Sequence, residues 1–270
     1  MKKNCFTFAF VLKYLSLTLC LMLVCNIGAQ TKRPELEKNV RRNTVLIGPT
    51  YGRMFTIGNL AKRFGGSNTI GINAAYKFGN NFQVSGNFSG WFGDNVKERG
   101  MLDSMIGSGG ELLDINGNFA PMRLYQRGYL WHLDIGKIIP TGRINPNSGI
   151  LISAGLGFMQ HKIKFMHQLE VLPQLEGEYT KGYDRLTNGL MTRLFVGYQA
   201  IDENQMLNFH AGLEWMSGFT RNQRAFNFDT RTAETSLRRD NMIGLKVGLS
   251  FSIQGRKTGT RKGQEDKFFE

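Results

Sequence analysis

The sequence predicts an all-β protein: an eight-stranded antiparallel transmembrane β-barrel, built as an up-and-down meander with long extracellular loops. From residue 44 to 253, large apolar residues alternate with small or polar ones in eight segments, and this period of two is typical of strands with two unlike faces. The connections alternate between short turns and long loops, as in transmembrane barrels. No run of eighteen apolar residues follows residue 29, so membrane insertion has to use strands.

The last segment shows the alternation most clearly. Its large residues, from Ile243 to Ile253, occupy every second position, and glycine, serine and Lys246 occupy the others. Arg53 and Arg127 interrupt the apolar face of two other segments but keep the period. A strand of this length spans a bilayer when it is tilted. The same pattern recurs in seven earlier segments, at 44–58, 70–78, 82–92, 121–139, 150–158, 190–198 and 207–215.

The polar face of the predicted strands consists mainly of Gly, Ser, Asn and Ala, with a few isolated charges. These residues suit a narrow interior filled by its own side chains, because eight strands leave no aqueous channel. Four inward residues of the C-terminal half form the candidate interior polar network: Arg193, His210, Glu214 and Lys246. Since charges in a low-dielectric interior must pair, we predict that Glu214 pairs with Arg193 or Lys246.

The connections fall into two classes. Those at 79–81, 140–148 and 202–204 are short and contain turn-forming residues such as Gly, Asn, Asp and Pro. The long connections lie at 94–120, 166–188 and 220–240, with a modest one at 59–68. Outer-membrane barrels place short turns in the periplasm and long loops outside, and an even strand count returns both ends to one side. The expected location is therefore the Gram-negative outer membrane, with both termini periplasmic.

The N-terminus has the composition of a secretory signal. A lysine pair precedes an apolar stretch that ends in small residues, so residues 1–29 are predicted to be a signal peptide cleaved after Ala29. An uncleaved signal anchor is one alternative. A lipoprotein modified at Cys25 is another, although Val24 disfavours it because lipidation needs a small residue there.

Two tails flank the predicted barrel at 44–253. Residues 30–43 are predicted to be an N-terminal periplasmic tail and residues 254–270 a basic periplasmic tail. All three cysteines fall within the signal, so the exported chain has neither disulfides nor thiolate metal sites. The signal holds three lysines and no acid, so its removal lowers the net charge from +13 to +10.

Residues that could carry catalysis are few. His161 and His167 approach the third long loop, and lipid A acyltransferases and deacylases of similar size combine His, Ser and an acid near the outer rim. The partners available in this region are Ser153, Glu170, Glu176 and Glu178. Nothing in the spacing brings a nucleophile and a base within hydrogen-bond reach, and no short His spacing points to a metal. No catalytic residue, cofactor or metal ligand is therefore assigned.

The third long loop mixes apolar, aromatic and charged residues. Tyr and Arg are favoured contact residues at protein interfaces, so the candidate partner-contact residues are Lys181, Tyr183, Asp184 and Arg185. A loop of this composition either folds over the barrel mouth as a lid or meets a partner. The sequence leaves both interpretations open.

The chain resembles small outer-membrane β-barrel proteins of the Bacteroidota, whose architecture is similar to the membrane domain of the OmpA type. The resemblance is carried by the signal ending Gly28-Ala29-Gln30, the strand pattern from 44 to 253 and the loop at 181–189. It implies an exported barrel, and in that phylum such barrels also serve as accessory subunits of larger envelope assemblies. An OmpA-type periplasmic domain does not follow residue 253, so peptidoglycan anchoring is not expected.

Together these observations predict a non-enzymatic barrel that acts as a structural or accessory subunit and contacts other envelope proteins through its loops and tails. The expected partners are outer-membrane lipids, lipopolysaccharide and an envelope protein complex. Nucleic acid is not expected, because an exported basic chain meets anionic lipid first. The alternatives are a lipid A-modifying enzyme, either an acyltransferase or a deacylase, and a narrow or gated pore.

Overall fold

The computed structural model describes residues 43–98, 100–106, 112–142, 145–167, 172, 175–201 and 207–253. The predicted signal peptide, the basic tail at 254–270 and nearly all of the N-terminal tail lie outside these residues. Among the described residues, no helix is long and apolar enough to cross a membrane.

Eight antiparallel strands form a closed barrel in which each strand pairs with the next and the last pairs with the first. The predicted all-β, up-and-down, eight-stranded fold is therefore confirmed. One short helix, α1 (Asn59–Arg63), and two 3₁₀ turns, Gly100–Met105 and Tyr179–Gly182, lie in the longer connections. The strands are β1 (Thr44–Gly58), β2 (Ser67–Lys77), β3 (Phe82–Gly93), β4 (Met122–Pro140), β5 (Gly149–His167), β6 (Thr187–Ala200), β7 (Leu207–Asn222) and β8 (Arg238–Ile253).

The β4–β5 hairpin extends further than the sequence pattern indicated. Apolar alternation in β5 stops at Phe158, yet the strand continues for nine more residues, to His167. The next three outward residues after Phe158 are Gln160, Lys162 and Lys164, which is why the hydrophobic pattern fades before the strand ends. β3 stops at Gly93, opposite Gln126, whereas β4 and β5 remain paired as far as Met122 and His167. The hairpin therefore projects past its neighbour β3.

The outer surface of the barrel is apolar. Leu190 is 71% exposed and Leu156 is 70% exposed, although water-soluble proteins bury such side chains. A contiguous apolar surface of this extent is far larger than a soluble monomer exposes. Every strand contributes to it, through Ile47, Ile72, Phe88, Leu133, Leu156, Leu194, Leu213 and Leu245 among others.

The interior is filled in layers. An apolar cluster near the short turns contains Leu46, Ile138, Leu151 and Phe195, and a larger one extends from the barrel interior into the long connections. Between them lies a layer of charged side chains. Glycines make room for bulky neighbours: Gly197 faces Gly212 across β6 and β7, and a Cβ on either would meet the Phe195 ring within 3 Å.

Candidate functional site

A buried ionic layer crosses the middle of the barrel. Glu214 accepts from Arg193 Nε at 2.5 Å and from Lys246 Nζ at 3.2 Å, both at its Oε2 atom. The sequence predicted one of these pairings, and the structure contains both. All three side chains are nearly inaccessible, so each charge depends on its partners for the stabilisation that water would otherwise give.

The layer continues onto β4 through residues that were not assigned to the network from sequence. Arg193 Nη1 lies 3.1 Å from Asp134 Oδ2, and His132 Nδ1 lies 2.7 Å from the same oxygen. Gly155 stands between Asp134 and Arg193 in the sheet register. Because glycine has no side chain, the arginine reaches across β5 to β4. We refer below to His132, Asp134, Arg193, Glu214 and Lys246 as the ionic layer.

His210, the fourth predicted member of the interior network, lies beside the ionic layer. Its ring meets Phe195 edge to face at 6.1 Å and lines a cavity of about 20 Å³ together with Arg193 and Lys246. Among the hydrogen bonds of the described residues, none joins His210 to Glu214. His210 therefore borders the charges and contacts an aromatic ring.

The short-turn end of the barrel is closed by side-chain hydrogen bonds. Lys77 Nζ donates to Asn147 Oδ1 at 2.7 Å, and the Asn81 side-chain amide donates to the Pro146 carbonyl at 2.9 Å. Asn145 in turn donates to the Ile201 carbonyl at 2.6 Å. The compact turn before β5 thus lies across the end of the barrel and seals the apolar cluster beneath it.

The opposite end is closed by the three long connections and the shorter one after β1, and ion pairs join these connections to one another. Arg63 after β1 lies 2.7 Å from Glu98 after β3 and 3.5 Å from Glu234 before β8. Glu98 also pairs with Arg185 before β6, at 3.3 Å. We call these joined residues the loop cap: Arg63, Glu98, Asp184, Arg185, Arg224, Asp229, Glu234 and Arg238.

Three of the four candidate partner-contact residues belong to this closure. Tyr183, Asp184 and Arg185 are all buried, at 9%, 2% and 3% exposure. Tyr183 packs edge to face on Phe228, and Asp184 accepts two hydrogen bonds from Arg224, at 2.8 and 2.5 Å. Lys181 is different, because it is half exposed and pairs with Glu178 on the surface.

Arg185 is the best-connected residue of the cap. It pairs with Asp229 as well as Glu98, and it adopts a positive φ of 52°, which is uncommon for a residue with a side chain. Burial opposes its charge, but hydrogen bonding to Asp229 and the charges of Glu98 and Asp229 outweigh that cost and raise its pKa. This part of the predicted contact loop therefore has a lid-like structure.

The residues considered for catalysis do not assemble into an acid–base site. His161 is fully buried beneath the cap, where its Nε2 lies 3.0 Å from Asp240 and its ring meets Phe64 and Trp91 edge to face. The Thr220 hydroxyl donates to Asp240 at 2.6 Å and so reaches the carboxylate, not the imidazole.

The other candidates lie elsewhere. Ser153 lies 3.5 Å from Arg193, and Glu178 pairs with Lys181 on the surface. The His167 side chain and Glu170 lie outside the described residues. Within the described part of the chain, no group of three or more potential metal ligands is found.

Comparisons with solved structures return small outer-membrane barrels. Ail from Yersinia pestis, in complex with the heparin analogue sucrose octasulfate, is 12% identical, with 78% of this chain and 97% of that chain covered and a TM-score of 0.39. The N-terminal β-barrel domain of OprF from Pseudomonas aeruginosa is 12% identical, with coverages of 78% and 98% and a TM-score of 0.36. OprG from the same species is 12% identical, with coverages of 82% and 100% and a TM-score of 0.32.

At these identities and TM-scores, the likeness carries no conclusion about ligands, partners or activity. No protein-family model matches the chain, and no curated protein matches it.

Proposed function

We propose that this chain is an outer-membrane β-barrel that serves as a non-enzymatic structural or accessory subunit of a Gram-negative envelope, with both termini periplasmic. The apolar outer surface, contributed by all eight strands, carries the proposal. A surface of that kind is stable in hydrocarbon and would aggregate in water. Among the described residues, the strands pair around a closed ring at the level of this apolar surface, as a spanning structure requires.

Closure at both ends supports a role other than transport. The ionic layer, the two apolar clusters, the short-turn end and the loop cap occupy successive levels of the same interior. Such an interior disfavours the narrow or gated pore considered from sequence. We expect planar-bilayer recordings of the purified chain to show no steady conductance, and a reproducible unitary current would contradict this expectation.

A subunit of this kind would present its partners with the exposed part of the loops. Tyr183, Asp184 and Arg185 shape the third loop from inside, whereas Tyr179 is 63% exposed and lies beside Lys181. Aromatic residues such as Tyr are enriched at interface contacts. We therefore propose that partner contact through this loop is made by Tyr179 and Lys181, supported by the buried residues below them.

The test is capture of the chain from native outer membranes in mild detergent, through a tag in the C-terminal tail. We expect a defined set of stoichiometric companions, and Tyr179→Ala combined with Lys181→Ala should reduce their recovery without changing the amount of barrel in the membrane. Leu237→Ala, in another loop and 64% exposed, is the control. A heat-modifiable barrel that purifies alone would contradict the accessory role.

A further inference from the structure

Four basic residues cluster on the outward face of the projecting β4–β5 hairpin. Arg127 lies directly opposite Lys162 in the strand register, and Lys164 and Arg123 follow on the same face towards the long loops. Strand geometry places such direct and diagonal neighbours close together. We call Arg123, Arg127, Lys162 and Lys164 the β4–β5 basic patch.

Within the described residues, no ion pair balances the charge of this patch. Among the ion pairs of the described residues, none involves its four members. Arg127 donates to the adjacent Gln126 carbonyl and lies over the Tyr125 ring, at 4.9 Å. The outward positions of β4 and β5 contain no Asp or Glu. Four cations so close together repel one another, and an anion bound between them would relieve that repulsion.

The patch begins where the apolar surface ends. Next along the same two strands, Tyr129 and Phe158 stack with their centroids 6.5 Å apart, and Trp131 stacks on Phe158 at 6.4 Å. Beyond these rings the outward residues are aliphatic, such as Leu133 and Leu156. Aromatic residues mark the interface in membrane barrels, so the cations above them lie at the level of lipid headgroups.

An apolar cavity adjoins the patch. It has a volume of about 620 Å³ and lies between the first residues of β4 and the connection that follows β3. Val96, Leu102, Ile106, Leu112 and Phe119 supply apolar lining. Arg123 lines the same cavity together with Asp94, so the cavity adjoins the patch at Arg123. The cavity exists because the hairpin projects past the end of β3 and the connection has to fold against it.

We propose that the cavity and the β4–β5 basic patch together bind the phosphorylated glycolipid of the outer leaflet, with a phosphate on the patch and one acyl chain in the cavity. This inference rests on the proposed outer-membrane location. Charge-assisted bonds from Arg and Lys to phosphate are stronger than neutral ones, and burying an acyl chain adds free energy with each methylene group. A phosphorylated headgroup without an acyl chain would leave the cavity empty. An uncharged lipid would leave the positive charge of the patch without an anion.

The test uses the purified full-length chain in detergent, titrated with lipid A and followed by native mass spectrometry. The variant that combines Arg123→Gln, Arg127→Gln, Lys162→Gln and Lys164→Gln should weaken binding by at least about tenfold, since each cation near an anionic lipid contributes separately. The matched control combines Arg53→Gln, Lys137→Gln, Arg221→Gln and Arg239→Gln. These are four outward cations elsewhere on the barrel, and their removal should leave affinity nearly unchanged.

The acyl-chain half has its own pair of variants. Phe119→Gln makes the cavity lining polar, and because Phe119 is 55% exposed the change should be tolerated by the fold. It should weaken binding of lipid A. Ile115→Gln, in the same connection but not lining the cavity, should leave binding as it is.

Binding of two further ligands tests whether the patch recognises the phosphate of lipid A specifically. Lipid A stripped of its phosphates and phosphatidylglycerol should both bind more weakly than intact lipid A. Equal binding of phosphatidylglycerol, or full retention of lipid A by the fourfold patch variant, would overturn the inference. The proposed location is tested separately by insertion into bilayers: a chain that inserts but does not discriminate between lipids contradicts only the lipid site, and one that fails to insert contradicts the location itself.

Discussion

The loop cap and the β4–β5 basic patch each contain four cations, but the two groups differ in whether carboxylates of the chain pair with them. In the cap, Arg63, Arg185, Arg224 and Arg238 are all paired with carboxylates inside the chain. In the patch, none of the four cations is paired among the described residues. Charges removed from solvent need a partner supplied by the fold, whereas outward charges can take one from the surroundings. In the ionic layer, at the centre of the barrel, the buried cations are likewise paired with carboxylates of the chain.

The largest effect should come from removing the central carboxylate of the ionic layer. Glu214→Gln leaves Arg193 and Lys246 without their shared partner, and breaking a buried ion pair costs about 3–5 kcal/mol. We expect a markedly lower temperature for the heat-induced mobility shift of the barrel in detergent. Glu178→Gln, which removes an exposed surface pair with Lys181, is the control and should leave that temperature unchanged. Equal behaviour of the two variants would refute the role given to Glu214.

A smaller and more local effect is expected in the loop cap. Arg185→Gln leaves Glu98 and Asp229 without this cation, at a cost of about 2 kcal/mol, the low end of the range for a buried charge pair, because both carboxylates are partly exposed. The loops should become sensitive to protease while the strands remain protected. Lys181→Gln in the same loop should change neither. Loops that remain resistant in Arg185→Gln would show that packing around Tyr183 alone closes the barrel.

Acid should open the cap in a defined pH range. Burial acts against the charge of Glu234, but Arg238 and Arg63 together keep its pKa below the ordinary value of 4.5. A depressed pKa stabilises the folded cap above 4.5, and this contribution is lost as the pH falls through the lower folded-state value. The protection of the loop amides against hydrogen exchange, taken relative to the intrinsic exchange rate at each pH, should therefore be constant from neutrality to about pH 5 and lower well below 4.5. Glu234→Gln should exchange faster at neutral pH and respond less to acid.

The smallest effect completes the comparison. Replacing all four members of the β4–β5 basic patch by Gln should leave the heat-induced mobility shift of the lipid-free barrel unchanged, because these cations have no ion-pair partner within the described chain. A large loss of stability would mean that the patch supports the fold. The stability effect of the patch variant would then no longer differ from that of Arg185→Gln in the loop cap.

The alternation of residue types was enough to predict the number of strands, their order and the face of the sheet that the residues of the eight predicted segments occupy. It also placed Arg193, Glu214 and Lys246 inside the barrel. It did not reveal that Asp134 meets Arg193, since that contact crosses β5 at Gly155 and depends on the register of three strands. Alternation in a single sequence predicts which face of the sheet a residue occupies. It does not predict which residue of another strand that side chain contacts.

The loops show a second limit. The composition of the third loop indicated contact surfaces, but three of the residues chosen make their contacts within the chain. Interfaces and lids are built from the same aromatic and arginine side chains, because both bury them against a surface. Nothing local in the sequence distinguishes the two. The β4–β5 extension was missed for a related reason, as the strand continues where its outward residues are no longer apolar.

The ionic layer also bears on how the barrel closes. A strand that pairs one residue out of register turns every side chain to the opposite face. For β6 such a slip would point Arg193 into hydrocarbon and leave Glu214 and Asp134 without it. Closure in the wrong register therefore costs free energy twice, because it places a charge in the lipid and leaves unpaired charges in the interior. The pairing of the ionic layer thus favours the correct alignment of β4, β6, β7 and β8 as the ring forms.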